Sequence, residues 1–306
     1  MSFSGSAKTE VCRTPVQKPC CALAELYGIL LFASTFSPQE IRIITGNEKL
    51  ARRIAQLCAA QQPPIDLPFE TTTVSGGRTI LTLADPKRIA PLLHLFGYDE
   101  TGFLTLHFHG WMVESDCCRA AFLRGAFLTG GYLAEPEKMY YLELSSPHAL
   151  MMRELGILFA DMELHLKAGR RKDNALLYCK DSETIETYLT VIGAHRSVIN
   201  FMETRVIKDV RNTINRRVNC EASNIIKAAE NGTNQLKLLQ RIEQAGQTEL
   251  LDDKLREAMQ LRMQYPDETL AELAARANPP VSKSGLNHRL KKLMTIAETL
   301  PEAPEA

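Results

Sequence analysis

Nothing in this 306-residue sequence is apolar over enough length to span a bilayer. The longest such run, Leu26 to Ala33, falls far short of the roughly 20 residues that a membrane helix needs, so no membrane partner is expected. The N-terminal stretch MSFSGSAKTEVC lacks the apolar core of a secretory signal. Eight cysteines without such a signal point to reduced thiols in a cytoplasmic protein. Net charge is absent as well, since 36 Lys and Arg balance 36 Asp and Glu. Residues 1–195 and 196–306 are each balanced to within two charges. A general attraction to polyanions is thereby excluded, and any nucleic-acid contact must come from local clusters. What the sequence does have is a 45% apolar fraction, enough for a well-buried core, at a length that fits about two or three domains.

One helix occurs twice. Residues 20–34 read CCALAELYGILLFAS, and residues 117–131 read CCRAAFLRGAFLTGG. Superposed, Cys20/Cys117, Cys21/Cys118, Ala24/Ala121, Leu26/Leu123, Gly28/Gly125 and Leu31/Leu128 coincide. Such a repeat reads as two copies of one unit related by an approximate twofold axis. A glycine inside a helix costs about 1 kcal/mol relative to alanine, and close approach of another backbone offsets that cost. Ala24, Gly28, Ala121 and Gly125 are therefore expected to pack the two helices together as the seam of a pseudo-dimer.

The pair resembles the seam helices of the LAGLIDADG homing endonucleases. The family motif falls on Leu26 to Ser34 and on Leu123 to Gly131. In that family each motif ends in an acidic residue that holds divalent metal over the scissile phosphates. Here those positions are Ala33 and Gly130. Magnesium requires hard oxygen ligands, and two-metal phosphoryl chemistry requires them at fixed places. The nearest downstream acids, Glu40 and Glu135, lie off the helix ends, so no catalytic residue is assigned.

Each copy continues in the same order. After the first seam helix come a strand (Ile41 to Thr45), a helix capped by Asn47 with Leu50, Ile54 and Leu57 inward, and a hairpin with arms Leu67–Val74 and Arg78–Leu83 about Ser75-Gly76-Gly77. A helix from Pro86 to Leu95 closes the unit. The second copy has a strand (Tyr140 to Leu144), a helix capped by Ser145 or Ser146, hairpin arms Met162–Lys167 and Ala175–Cys179, and a helix from Ser182 to Ile192. The expected fold class is α+β, a duplicated LAGLIDADG pseudo-dimer of two αβαββα units followed by an all-α helix-turn-helix domain. The expected boundaries are an N-terminal extension (1–19), repeat 1 (20–97), a connector (98–116), repeat 2 (117–195), a helical linker (196–250) broken at Gly232 and Gly246, the helix-turn-helix (251–300) and a disordered tail (301–306).

The helix-turn-helix is read from its punctuation. A helix over Lys254–Met263 ends before Pro266, Asp267 can cap a second over Thr269–Ala277, and Asn278-Pro279-Pro280-Val281 makes the turn. Ser282 caps a third helix from Lys283 to about Leu300. Leu286, Leu290 and Leu293 face inward, and Ser282–Lys292 contains no acid. Lys283, Ser284, Asn287, His288 and Arg289 then lie near the helix start, where recognition helices meet base edges. Lys291 and Lys292 are placed for phosphates.

Three stretches together resemble the WhiA family of bacterial regulators, over nearly the whole chain. They are the paired Cys-Cys helices, above all Asp116 to Leu128; the segment Arg211 to Asn224 (RNTINRRVNCEASN); and Val281 to Leu290 (VSKSGLNHRL). The resemblance implies promoter binding in sporulation or in cell division and chromosome segregation, on the nucleoid. It implies double-stranded promoter DNA as a partner, with RNA polymerase and a small iron–sulfur protein beside it. The alternatives are a module that docks polymerase or another partner with little DNA affinity of its own, and an active nuclease with carboxylates from outside the motif.

Other clusters have plainer readings beside functional ones. Arg211, Arg216 and Arg217, with Arg205 and Lys208, form either a solvated helix or DNA-backbone contacts flanking the reading head. Gly169-Arg170-Arg171-Lys172 is read as a solvated hairpin tip or a remnant of a DNA-facing sheet. His107 and His109 lack a third ligand and are read as structural. If the repeat helices pack side by side and parallel, Cys20, Cys21, Cys117 and Cys118 can approach each other, and four thiolates would suit zinc. Adjacent cysteines on a helix diverge, however, neither pair has Cys-x-x-Cys spacing, and cysteine is a common core residue. Packing is their expected role, and no metal or cofactor is assigned.

Overall fold

The first helix of the chain, α1 (Phe3–Val11), is capped by the Ser2 hydroxyl, which accepts a hydrogen bond from the Gly5 amide at 3.2 Å. Residues 1–19, expected as an extension, thus contribute a packed helix, because Phe3, Ala7 and Val11 share one face and are buried. The computed structural model describes residues 2–74, 77–98 and 106–300. Ser75 and Gly76 of the expected hairpin turn, and the tail 301–306, lie outside the described residues. The chain forms two compact units, Met1–Asp209 and Val210–Ala306.

Within the first unit one order of elements occurs twice. The first copy is α2 (Pro19–Leu31), β1 (Thr35–Phe36), β2 (Ile41–Thr45), α3 (Leu50–Ala59), β3 (Glu70–Val74), β4 (Arg78–Leu83) and α4 (Pro86–Leu95). The second is α5 (Asp116–Gly130), β5 (Gly131–Leu133), β6 (Leu142–Ser146), α6 (Ala149–Asp161), β7 (Lys167–Arg171), β8 (Asn174–Cys179) and α7 (Ser182–Val191). The two antiparallel sheets have matching orders, β1-β2-β4-β3 and β5-β6-β8-β7. Equivalent pairs sit opposite each other in both, Ile43 against Leu81 and Leu144 against Leu177, all four side chains buried.

Two local differences from the sequence reading have physical causes. Each repeat has a short strand directly after its seam helix, β1 and β5, too short to show a period of two. The stretch Met162–Leu166, expected as a hairpin arm, instead terminates α6. Glu163 adopts a left-handed φ of 58°, and the Leu164 amide donates to the Phe159 carbonyl at 2.9 Å. The true arm is β7, so Gly169, Arg170 and Arg171 lie within a strand and the turn is made at Lys172, with φ 53°.

The seam helices α2 and α5 touch backbone to backbone. A Cβ added at Gly28 would lie 2.3 Å from the Phe122 carbonyl oxygen, and one at Gly125 would lie 2.1 Å from the Glu25 carbonyl oxygen. Ala24 and Ala121 are buried beside them. Glu25, the one acid inside α2, is buried at this crossing. Its carboxylate accepts Arg53 Nε at 2.6 Å, Arg53 Nη2 at 2.7 Å and Arg124 Nη1 at 3.0 Å. Arg124 also donates to the Ile192 carbonyl at 2.8 Å. A buried carboxylate is tolerable only when paired and hydrogen-bonded in this way. The cluster joins α3, α2, α5 and the end of α7.

A 50-residue helix, α8 (His195–Gln244), begins in the first unit. Its start is held by Glu10, which accepts the Arg196 amide at 2.7 Å and the Ser197 amide at 3.0 Å. The expected break at Gly232 does not occur. A Cβ there would come within 3.1 Å of the Pro266 carbonyl oxygen, so this glycine serves close approach rather than termination. The helix ends just before Gly246, at φ 65°.

Gly125→Ala is expected to destabilise the first unit by about 2 kcal/mol or more, because the crossing backbones must part, even though alanine is the better helix former. Urea unfolding followed by circular dichroism measures this. An unchanged midpoint would show that the two backbones separate without cost.

Candidate nucleic-acid interface

In the second unit three helices follow α8, each started by a side-chain cap. Asp252 accepts the Leu255 amide at 2.8 Å and opens α9 (Asp253–Gln264). Thr269 and Glu272 form a reciprocal capping box at the start of α10 (Leu270–Arg276). Asp267, expected as that cap, is passed over because Thr269 stands three residues before a glutamate. Ser282 accepts the Gly285 amide at 3.1 Å and opens α11 (Lys283–Glu298). Leu255, Ala258 and Met259 from α9, Leu273 and Ala274 from α10, and Leu286, Leu290 and Leu293 from α11 make one core with Leu239 and Ile242. Buried Arg262 fixes the link between α9 and α10 by donating to the carbonyls of Pro266 and Glu268, at 3.3 and 2.7 Å.

With three leucines of α11 turned inward, the opposite side of the helix is set by the 3.6-residue period. Ser284, His288, Lys291 and Lys292 are exposed there; Lys283, seven residues before Leu290, is exposed at the helix start, and Asn287 is half-buried. Among the described residues no carboxylate pairs with Lys283, Lys291 or Lys292. The three lysines therefore form a basic surface starting at the helix N-terminus, where the backbone amides add positive potential, and the Ser284 hydroxyl lies 3.0 Å from that of Ser282.

Arg289 is placed differently from its neighbours. Its Nη1 donates to Glu257 Oε2 of α9 at 3.0 Å, and Glu257 Oε1 accepts the Asn278 amide at 2.6 Å. This arrangement ties α11, α9 and the turn together, so Arg289 orients the helix. The sequence reading missed Glu257, which lies a whole helix away and has no local signature.

Of the cations on α8, Arg205 pairs with Glu186 at 2.9 Å, and Lys208 donates to the Pro136 carbonyl at 2.8 Å over the Tyr140 ring. Arg211, Arg216 and Arg217 are exposed in the second unit. Arg217 pairs with Glu221, in a solvent-exposed contact of little energetic weight. Helical geometry spreads these three around the axis rather than along one side.

The old motif ends offer no place for an acid. Ala33 is fully buried, and a Cβ at Gly130 would lie 2.2 Å from the Phe32 ring and 2.7 Å from the Ser145 carbonyl oxygen. Glu135, the downstream acid, accepts the Phe3 amide at 2.9 Å. On the second sheet Arg171 is paired with buried Glu143, which also accepts the Tyr141 hydroxyl at 2.7 Å. Arg170 and Lys172 remain exposed. His107 pairs with Glu154 at 2.9 Å, and the His109 amide donates to the Tyr27 hydroxyl at 2.9 Å, which fits a structural role. The cysteine pairs do not diverge into separate packing sites. The sulphurs of Cys20, Cys21 and Cys118 lie within 4.8 Å of one another, the single group of three or more His, Cys, Asp or Glu ligand atoms so close among the described residues.

Comparison with known proteins gives consistent matches. The family model for the WhiA C-terminal HTH domain matches residues 214–297, and that for the WhiA LAGLIDADG-like domain matches residues 119–211. A "Probable cell division protein WhiA" from Ruminiclostridium cellulolyticum is 33% identical over 98% of this chain and 98% of its own length. One of the same description from Desulfitobacterium hafniense is 34% identical over 99% of this chain and 97% of its own. The crystal structure of full-length DUF199/WhiA from Thermatoga maritima aligns with a TM-score of 0.54 at 22% identity, covering 99% of this chain and 100% of that one, which supports the fold.

Arg289→Ala should lower the stability of the full chain by about 1–2 kcal/mol through loss of a charged, half-buried hydrogen bond. Lys291→Ala should change it by no more than about 0.5 kcal/mol. Thermal unfolding compares the two, and equal effects would show that the contact between Arg289 and Glu257 does not hold α11.

Proposed function

The chain belongs to the WhiA family, and from that premise we propose that it is a sequence-specific DNA-binding regulator of transcription, acting in cell division or sporulation. The observation that carries this reading is the exposed surface of α11, whose lysines pair with no carboxylate among the described residues. Lys283, Ser284, Asn287 and His288, in the first turns of the helix, reach base edges in the major groove. Lys291 and Lys292, farther along, meet phosphates. Arg289 acts indirectly, by fixing the angle of α11 against α9. Arg211, Arg216 and Arg217 add DNA-backbone contacts from α8.

The LAGLIDADG-like domain serves as a scaffold and does not cut. Support comes from Ala33 and Gly130, which stand where the homing-endonuclease acids would be, and from the Phe32 ring that closes the space beside Gly130. RNA polymerase and a small iron–sulfur protein complete the reading as partners at the promoter. The work belongs to the cytoplasm, at the nucleoid; among the described residues no helix is long and apolar enough to cross a membrane.

A salt-titrated binding assay on labelled promoter fragments, with magnesium present, tests the reading. Each phosphate contact contributes about −0.9 to the slope of log K against log salt, so Lys291→Ala/Lys292→Ala should flatten the slope by about 2. Asn287→Ala should narrow the preference for specific over random DNA by about 1–3 kcal/mol. The same samples on a denaturing gel should show intact strands, and strand scission would overturn the scaffold reading. Absence of binding in the unaltered protein would favour a module that docks polymerase.

A further inference from the structure

The seam that aligns the two repeats also brings their cysteines together. α2 starts at Pro19 and α5 at Asp116, so each Cys-Cys pair occupies the second and third positions of its helix. Gly28 and Gly125, at the crossing, follow their pairs at equal distance in sequence. The twofold relation therefore places the two helix starts side by side. Cys20, Cys21 and Cys118 have sulphurs within 4.8 Å of one another. The fourth thiol, Cys117, lies outside that group of three, but it directly precedes Cys118 on α5. About the axis Cys117 is the counterpart of Cys20, and Cys118 of Cys21.

We propose that Cys20, Cys21, Cys117 and Cys118 form a tetrathiolate site for one zinc ion at the N-terminal end of the seam. Zinc bound to four cysteines is tetrahedral with Zn–S near 2.3 Å, which sets the sulphurs about 3.8 Å apart. Small side-chain rotations bring Cys20, Cys21 and Cys118 from within 4.8 Å to that spacing, and a rotation of Cys117 supplies the fourth ligand. The donor set is sulphur alone, which selects a soft ion and excludes magnesium or calcium.

The surroundings suit the charge of such a site. Binding removes four thiol protons and leaves a complex of net charge −2, one Zn²⁺ with four thiolates. Neither α2 nor α5 has a side-chain cap hydrogen bond at its start. The partial positive charge of a helix N-terminus favours thiolate over thiol and works against the burial that pushes the Cys21 and Cys118 thiols up. The Ser115 hydroxyl lies 3.4 Å from the Cys117 sulphur and can hold it in place. Cys21 and Cys118 are buried, Cys117 is half-buried and Cys20 is exposed. One side of the site is closed by the seam and the other is open for entry of the ion. Zinc there would clamp the two repeats at the end of the crossing.

Cobalt(II) added to the full chain, stripped of metal under reducing conditions, tests the proposal. The expected result is one equivalent bound, with the strong visible bands of a tetrahedral ion and thiolate-to-cobalt charge transfer, both displaced by zinc. Zinc should also protect four thiols from a thiol reagent in the native protein. Cys20→Ser/Cys117→Ser removes the two accessible ligands, should leave the circular dichroism unchanged and should abolish the cobalt bands. Weak octahedral cobalt absorption with no thiol protection in the unaltered protein would overturn the site. So would disulfides between Cys20 and Cys118 or Cys21 and Cys117 forming in air at the same rate with and without zinc, which would make the cluster a redox pair.

Discussion

The contact of two helix backbones at Gly28 and Gly125 is the constraint on which the first unit depends. Carbonyl oxygens of one helix lie where a side chain of the other would begin, so nothing larger than hydrogen fits at either position. That closeness forces the carboxylate of Glu25 into the interior, where Arg53 and Arg124 neutralise it from either side. It also fixes the pseudo-twofold axis. The two sheets acquire the same strand order because they are built on the same edges of two equivalent helices. The starts of those helices meet at one end of the seam, and the thiols come with them.

The same axis brings the ends of the two seam helices together. The helix ends converge as the fold requires, but the convergence is filled with Phe32, Ala33 and the Ser145 carbonyl instead of carboxylates. On the second sheet Arg171 is absorbed by Glu143. On α11 three leucines hold the helix to its unit, and Lys291 and Lys292 are left on its exposed side.

What could be read from the sequence was whatever is local or repeated. The Cys-Cys helices announced the duplication because a glycine in an apolar helix requires a reason. Ser282 announced α11 because a hydroxyl before an amphipathic run is a helix start. Elements of two or three residues, β1 and β5, carry no period and stayed hidden. So did partnerships across the chain. Glu25 is conspicuous as the lone acid of its helix, but Arg124 is 99 positions away. Arg289 read as one more cation on a basic helix, although it sits at the margin between the buried and exposed sides and finds Glu257, 32 positions earlier. The proximity of the cysteines depends on the same kind of partnership: a single helix separates adjacent side chains, but two helix starts brought together by an axis leave the sulphurs of Cys20, Cys21 and Cys118 within 4.8 Å.

The central claim is that DNA is met by the exposed face of α11 and not by the sheets of the LAGLIDADG-like domain. A photo-crosslinking amino acid placed singly at Ser284, at Arg42, which is exposed on β2, and at Arg170 on β7, in the full chain bound to its promoter fragment, tests this directly. The account predicts crosslinks to DNA from position 284 and none from positions 42 and 170. Crosslinks from the sheet positions with none from 284 would contradict it.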